Sequence, residues 1–299
     1  MNLIYTCCFH QENYTDVVAH LINSFANVAS STDFLVYTTT EYKELIQKKC
    51  PLAKNLLFVE KNFYKTMNQA RISKLDVFDF PQVDRYEKIL YIDADSLFLT
   101  NPDKIFDQIT DEVVYVVGEG EILNEGEYWG RSLFLRENAE CANREGLGAY
   151  ALGFKNVVPI KKLFIKIKQA FYLDMYQNKL RFYDQPFLNF FLISNNMCNT
   201  QALKSVVRSR PSVSEAINDD IVVVHFAGCP GHGNVKLDLL NQFQLEFNKQ
   251  KPAATESRIS SSISSNDDAI TLLKKQLDDM REKTAQIEAL LLQELAKKA

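Results

Sequence analysis

No two of the six cysteines stand in a CxxC spacing. Cys7, Cys8, Cys50, Cys141, Cys198 and Cys229 therefore offer neither a zinc ribbon nor the frame of a small disulfide-stapled domain, and free thiols in a reducing compartment are expected. An excess of one charge is also missing: 34 basic residues stand against 38 acidic ones, a formal net charge of -4. That balance argues against nucleic acid or an anionic membrane as partner. No apolar run approaches the roughly 20 residues of a membrane span. The opening MNLIYTCCFH lacks a basic segment and is too short in apolar length for a secretory leader, so a cytoplasmic, unanchored protein is expected.

What is present is a 299-residue chain, 46% hydrophobic, with material for a sizeable core. Up to about residue 250, short β-branched or aromatic runs alternate with longer amphipathic stretches, the pattern of an α/β fold with a mostly parallel sheet. Strands are expected at 3–8, 34–37, 56–59, 88–92, 113–117, 149–154 and 221–226. Helices are expected at 16–25 with Thr15 as cap, 41–49, 71–78, 102–107, 161–176 and 185–193. Residues 251–268 are Ser-rich and read as a flexible linker closing the 1–250 domain. Beyond it, Ile270, Leu273, Leu277, Met280, Thr284, Ile287 and Leu291 recur at alternating steps of three and four, a coiled-coil helix over 269–299. Such a helix is marginal alone, so it either makes a homodimer or folds back on its own domain.

The sharpest chemical signal is YEKILYIDADSLFLTNPDKIFD, residues 86–107. An apolar strand delivers Asp93 and Asp95, with Ala94 between them, at its carboxyl end, where open α/β sheets bind ligands. On an extended strand the two carboxylates would point to opposite faces, so the chain must turn there for both to meet one hard cation. Mg²⁺ or Mn²⁺ suits such oxygens and bridges to a diphosphate. A bare Asp-x-Asp is more often a turn or cap. The buried strand before it and the apolar run and NPDKIFD after it make this one more specific. A phosphatase of the haloacid dehalogenase type also carries Asp-x-Asp after a strand, but it wants Thr or Val where Leu97 stands, and its motif comes earlier in the chain. A third reading is a non-enzymatic scaffold that presents its coiled coil to partners; an intact metal-binding trio argues against it.

The stretch SKLDVFDFPQVDRYEKILYIDADSLFLTNPDKIFD resembles glycosyltransferase family 8, the group of glycogenin, galactinol synthase and bacterial galactosyltransferases. The likeness runs from the N-terminus to about residue 240 and leaves out the linker and coiled coil. It implies a GT-A fold, a Rossmann-like nucleotide half merged with an acceptor half. The implied reaction is retaining, Mn²⁺- or Mg²⁺-dependent transfer of a hexose from UDP-glucose or UDP-galactose. In IVVVHFAGCPGHGNVK it implies His225 as third metal ligand beside Asp93 and Asp95, with Gly228 near the phosphates. The family's lysine shortly after that glycine is replaced by Gly231, which leaves Lys236 or His232 to meet the diphosphate.

The same resemblance maps Asp184 and Gln185 of RFYDQPFLNFF near the anomeric carbon, Asp184 as nucleophile or as a positioning group; Asp184 also fits a helix N-cap. Lys74, with Arg71 nearby, would neutralise phosphate or touch sugar hydroxyls, and Thr6 and Tyr14 match positions that hold uracil and ribose. The segment EGLGAYALGFKN departs from the family's Asn-x-Gly, which leaves the donor sugar open. The acceptor is open as well: a tyrosine of this chain, as in self-glycosylating relatives of glycogenin, another protein, a polyol or a glycan.

Overall fold

The computed structural model describes residues 1–28, 30–51, 53–124, 126–177, 183–227 and 233–250. The expected linker at 251–268, the coiled coil at 269–299, and Gly228 and His232 all lie outside the described residues. Met1–Phe247 forms one compact unit and Asn248–Ala299 a second. The strands that carry the site belong to the first.

In chain order the elements are β1 (Asn2–Cys8), α1 (Tyr14–Ala26), β2 (Asp33–Thr38), α2 (Thr40–Lys49), β3 (Leu56–Glu60), α3 (Met67–Ile72), β4 (Lys88–Ile92), β5 (Ser96–Phe98) and α4 (Asp103–Gln108). Then follow β6 (Val114–Glu121), α5 (Arg131–Glu137), β7 (Glu145–Lys155), α6 (Val158–Tyr176), α7 (Asp184–Ser194), β8 (Cys198–Asn199), β9 (Val207–Ser209), β10 (Val223–His225) and α8 (Gly233–Gln250). The central sheet has seven strands in the order β3-β2-β1-β4-β7-β6-β8. Only β7 runs against the rest: β1, β2, β3 and β4 pair in parallel, as do β6 and β8, while β7 is antiparallel to both of its neighbours. The expected mostly parallel α/β sheet is what is found.

Its strands are near-continuous apolar runs because helices cover both faces. Leu3, Tyr5, Leu35, Tyr37, Ile89 and Tyr91 belong to one buried cluster, and Ile4, Phe34, Val36, Leu90 and Ile92 to the other. This is the period of two that puts successive side chains on opposite faces. Each such side chain contributes about 1.5–3 kcal/mol on leaving water. Helix α6 closes the first face with Ile160, Leu163, Phe164, Ile167 and Phe171, spaced at three and four residues.

Three sequence expectations need correction. Thr15 does not cap α1; Asn13 precedes the helix without a side-chain cap, and the Thr15 hydroxyl accepts from Lys49 Nζ at 2.9 Å. The single helix expected at 71–78 is two pieces, α3 with a capping box between Thr66 and Gln69, and a 3₁₀ helix over Ser73–Asp79. The tighter winding carries Lys74 and Asp76 inward, which an amphipathic α-helical reading does not anticipate. The late strand at 221–226 is not in the central sheet. Its core, β10, lies between β5 and β9 in a separate three-stranded sheet.

Candidate active site

The Asp-x-Asp stretch is the link between the two sheets. Asp93 follows β4 and its backbone N–H donates to the Tyr150 carbonyl at 2.9 Å, while β5 begins at Ser96. Strand β10 pairs antiparallel with β5 so that His225 stands opposite Ser96, and the Phe226 N–H donates to the Asp95 carbonyl at 2.9 Å. A histidine far along the chain is thereby delivered to the carboxylates by strand pairing. His225 Nε2 lies 3.3 Å from Asp95 Oδ1 and 3.9 Å from Asp93 Oδ2. One ligand atom from each of the three residues lies within 4.8 Å of the others, the only such group found among the described residues. Two carboxylates and an imidazole suit Mn²⁺, and Mg²⁺ less closely.

Cations balance this charge. Lys236, from α8, donates to Asp95 Oδ2, and its Nζ sits 6.0 Å from the Tyr14 ring. Burial alone would raise the Asp95 carboxyl, yet His225 and Lys236 outweigh it and hold that carboxyl well below the usual range. Burial likewise works to lower the Lys236 ammonium, and Asp95 more than offsets it, leaving the group raised.

Lys74 forms the second centre. Its Nζ lies 2.9 Å from Asp184 Oδ2 and 3.6 Å from Asp93 Oδ1, and donates to the Ala149 carbonyl at 3.0 Å. Lys74 and Asp184 are each only 6% exposed. Burial would lower the Lys74 ammonium, but Asp184 and Asp93 raise it, so it stays charged. Tyr91 donates to Asp93 Oδ1, and Tyr5 donates to the Lys74 carbonyl at 2.6 Å, anchoring the 3₁₀ segment to the sheet.

The Ala149 carbonyl is free for Lys74 because the β6–β7 register shifts between Val116 and Val117. A bulge of this kind turns backbone groups away from the ladder. Asp184 opens α7, as its N-cap-like sequence suggests, although Tyr183 is the residue before the first turn.

Asp93, Asp95, Asp184, His225, Lys74 and Lys236 line one cleft of about 780 Å³. Of the site residues expected from sequence, Tyr14, Arg71, Lys74, Asp93, Ala94, Asp95, Asp184, Gln185, His225 and Lys236 are brought to it. Thr6 is not. It is fully buried, its hydroxyl without a hydrogen-bond partner among the described residues, and Cys8 and Phe9 reach the cleft from the end of β1 instead. The Arg71 guanidinium stacks on Tyr183, 3.7 Å from the ring centroid.

Several contributors escaped the sequence reading. Tyr150 stacks on the His225 ring, and Arg210, in the left-handed region at φ 51°, donates its N–H to the His225 carbonyl at 2.7 Å. Asn189 is fully buried: it accepts from the Leu147 N–H at 2.7 Å and donates to the Leu147 carbonyl at 3.0 Å, clamping α7 to β7. One signal pointed to Asn189, since an amide inside the otherwise apolar PFLNFFLI must find buried partners. Nothing in the sequence pointed to the Tyr150 stack.

No helix among the described residues is long and apolar enough to cross a membrane. No protein-family model matches the chain and no curated protein sequence matches it. Solved structures do. The bifunctional glycosyltransferase WbbM, in its apo form, superposes with a TM-score of 0.54 at 16% identity over 87% of this chain and 51% of its own, so the chain spans about half of that protein. The galactosyltransferase LgtC, in complex with donor and acceptor sugar analogs, gives 0.56 at 13% identity over 86% of this chain and 99% of its own. Mouse xyloside xylosyltransferase 1, apo form, gives 0.53 at 10% identity over 76% and 98%. At such low identity the likeness establishes architecture, and the chain has the GT-A fold of these glycosyltransferases.

Proposed function

We propose that this chain is a divalent-metal-dependent, retaining hexosyltransferase of the family 8 kind that uses UDP-glucose or UDP-galactose as donor. The carrying observation is the convergence of Asp93, Asp95 and His225 beside the buried Lys74–Asp184 pair in one cleft. A bound Mn²⁺ or Mg²⁺ would neutralise charge on the leaving diphosphate.

The chain's own residues supply the rest. Asp93, Asp95 and His225 would hold the ion, and Ala94 allows close approach of the nucleotide at the turn. Lys236, which donates to Asp95 Oδ2, stands where its ammonium could also meet diphosphate oxygens. Lys236 is preferred for this task because its ammonium stands in the cleft beside Asp95. Tyr14 and Arg71 flank the nucleotide, and Gln185 faces the donor sugar.

Asp184 already has one oxygen engaged by Lys74, which favours a positioning role on the sugar hydroxyls over a free nucleophile. On this reading the acceptor oxygen bonds to C1 on the face that the diphosphate leaves. The C1–O bond to the diphosphate breaks, and the acceptor proton goes to the departing diphosphate oxygen. A coiled coil over 269–299, as its heptad pattern suggests, would join two copies of the chain in the cytoplasm.

The test is UDP release from a panel of UDP-sugars by the purified full chain, with Mn²⁺ and with EDTA. Release from one sugar that needs Mn²⁺ supports the reading; neither release nor binding of UDP with Mn²⁺ sinks it.

A further inference from the structure

The cleft that holds the carboxylates is also lined by two adjacent aromatic rings, Tyr128 and Trp129. Trp129, the sole tryptophan of the chain, ends the 3₁₀ turn Glu127–Trp129. Its indole covers a glycine pair. A Cβ on Gly120 would lie 2.5 Å from Trp129 Cζ2, and one on Gly146 would lie 2.4 Å from Cδ1. Gly120 and Gly146 are direct partners in the β6–β7 ladder, so the ring rests on sheet backbone because neither position has a side chain.

Gly130 closes the turn at φ +85° with Pro186 of α7 against it. The aromatic pair is thereby fixed beside the α7 N-terminus, where Asp184 and Gln185 stand. The Trp129 indole N–H is buried and has no hydrogen-bond partner among the described residues. Tyr128 is 70% exposed and meets the Trp129 ring edge-on, centroids 6.1 Å apart. Glu119, Asn124 and Arg210 line the same cleft.

Rigid aromatic surface at the edge of a polar cleft fits one chemical class well. A pyranose ring has an apolar C–H face that stacks on an aromatic ring and a rim of hydroxyls that needs donors and acceptors. We propose that Tyr128 and Trp129 form the seat of the acceptor and that the acceptor is a pyranoside, an inference that rests on the glycosyl-transfer reading above. Tyr128 gives the stacking face, Trp129 holds it in place, and Glu119, Asn124 and Arg210 meet the hydroxyl rim.

Because the chain has a single tryptophan, its emission reports on this seat without any need for turnover. The full chain, saturated with UDP and Mn²⁺, is titrated with lactose, maltose, methyl β-galactopyranoside and methyl α-glucopyranoside. At least one is expected to change the emission saturably. Tyr128→Ala is expected to weaken that sugar about tenfold or more, and Tyr128→Phe to stay within about threefold, because the ring face carries the contact. A silent emission with all four sugars, or an unchanged affinity in Tyr128→Ala, overturns the proposal. Calorimetry of UDP with Mn²⁺ on the same wild-type preparation separates the two readings. If nucleotide binds and the sugars fail, only the acceptor seat falls; if nucleotide fails to bind, the glycosyl-transfer reading falls and takes this inference with it.

Discussion

The phenol ring of Tyr150 lies face to face with the His225 imidazole, centroids 4.1 Å apart and planes 15° from parallel. His225 Nδ1 is buried without a hydrogen-bond partner among the described residues, so packing does the orienting that a hydrogen bond on the far nitrogen usually does. Tyr150→Ala is expected to lower Mn²⁺ affinity about tenfold, the lower end for loss of a group that orients a ligand. Tyr150→Phe keeps the ring and should bind nearly as the parent does. Calorimetric titration with Mn²⁺ decides, and equal affinity in all three proteins would show that strand β10 alone sets the ring.

Binding to the Asp93, Asp95 and His225 group should also appear as stability. Mn²⁺ at about a hundred times its dissociation constant is expected to add about 2.7 kcal/mol. Asp95→Asn replaces a charged ligand by a neutral one and should erase that increment, together with Mn²⁺-dependent turnover, while the circular dichroism spectrum stays native. Persistence of the Mn²⁺ increment in Asp95→Asn would remove this carboxylate from the ligand set.

Lys74→Met leaves the Asp184 carboxylate buried without its cation, a loss of about 3–5 kcal/mol. The double variant with Asp184→Asn should recover part of it, because no uncompensated charge remains. Urea unfolding of Lys74→Met, Asp184→Asn and the double variant tests this, and additive losses would deny the pairing.

The alkaline limb of stability carries the same pair. The Lys74 ammonium is raised in the folded protein, burial opposing and Asp184 and Asp93 prevailing. A group raised on folding contributes stability that is fully present below its unfolded value of about 10.4 and is lost as pH rises beyond it. The parent should therefore lose more stability than Lys74→Met between about pH 9.5 and pH 11.5. Matching slopes in denaturant titrations at the two pH values would contradict the raised lysine.

Gly146→Ala places a methyl 2.4 Å from the Trp129 ring and must displace it. A cost of about 1–3 kcal/mol is expected, as for overpacking elsewhere, with a shift in tryptophan emission. An unaltered spectrum at full stability would mean that the indole does not rest on the glycine pair.

The sheet was legible because its signal is local. An apolar run such as Lys88–Ile92 is a buried strand whatever surrounds it, and the two carboxylates at its end mark the ligand edge. Lys74 was singled out by resemblance, but its burial was not legible, since a 3₁₀ helix and an α-helix over Ser73–Asp79 look alike in composition. The placement of Thr6 was not legible for a related reason: a polar residue near a strand end can point to ligand or to core, and the side chain of this one is buried.

Residue types and their neighbours along the chain already carried the alternation of strands and helices, the Asp-x-Asp at a strand end and the three cations Arg71, Lys74 and Lys236. Tertiary structure alone decided that β10 pairs with β5 rather than with the central sheet, that a register shift frees the Ala149 carbonyl, and that Tyr150 stacks on His225. Those outcomes depend on which distant surfaces pack together, a global balance of burial and backbone hydrogen bonding that no local window of residues contains.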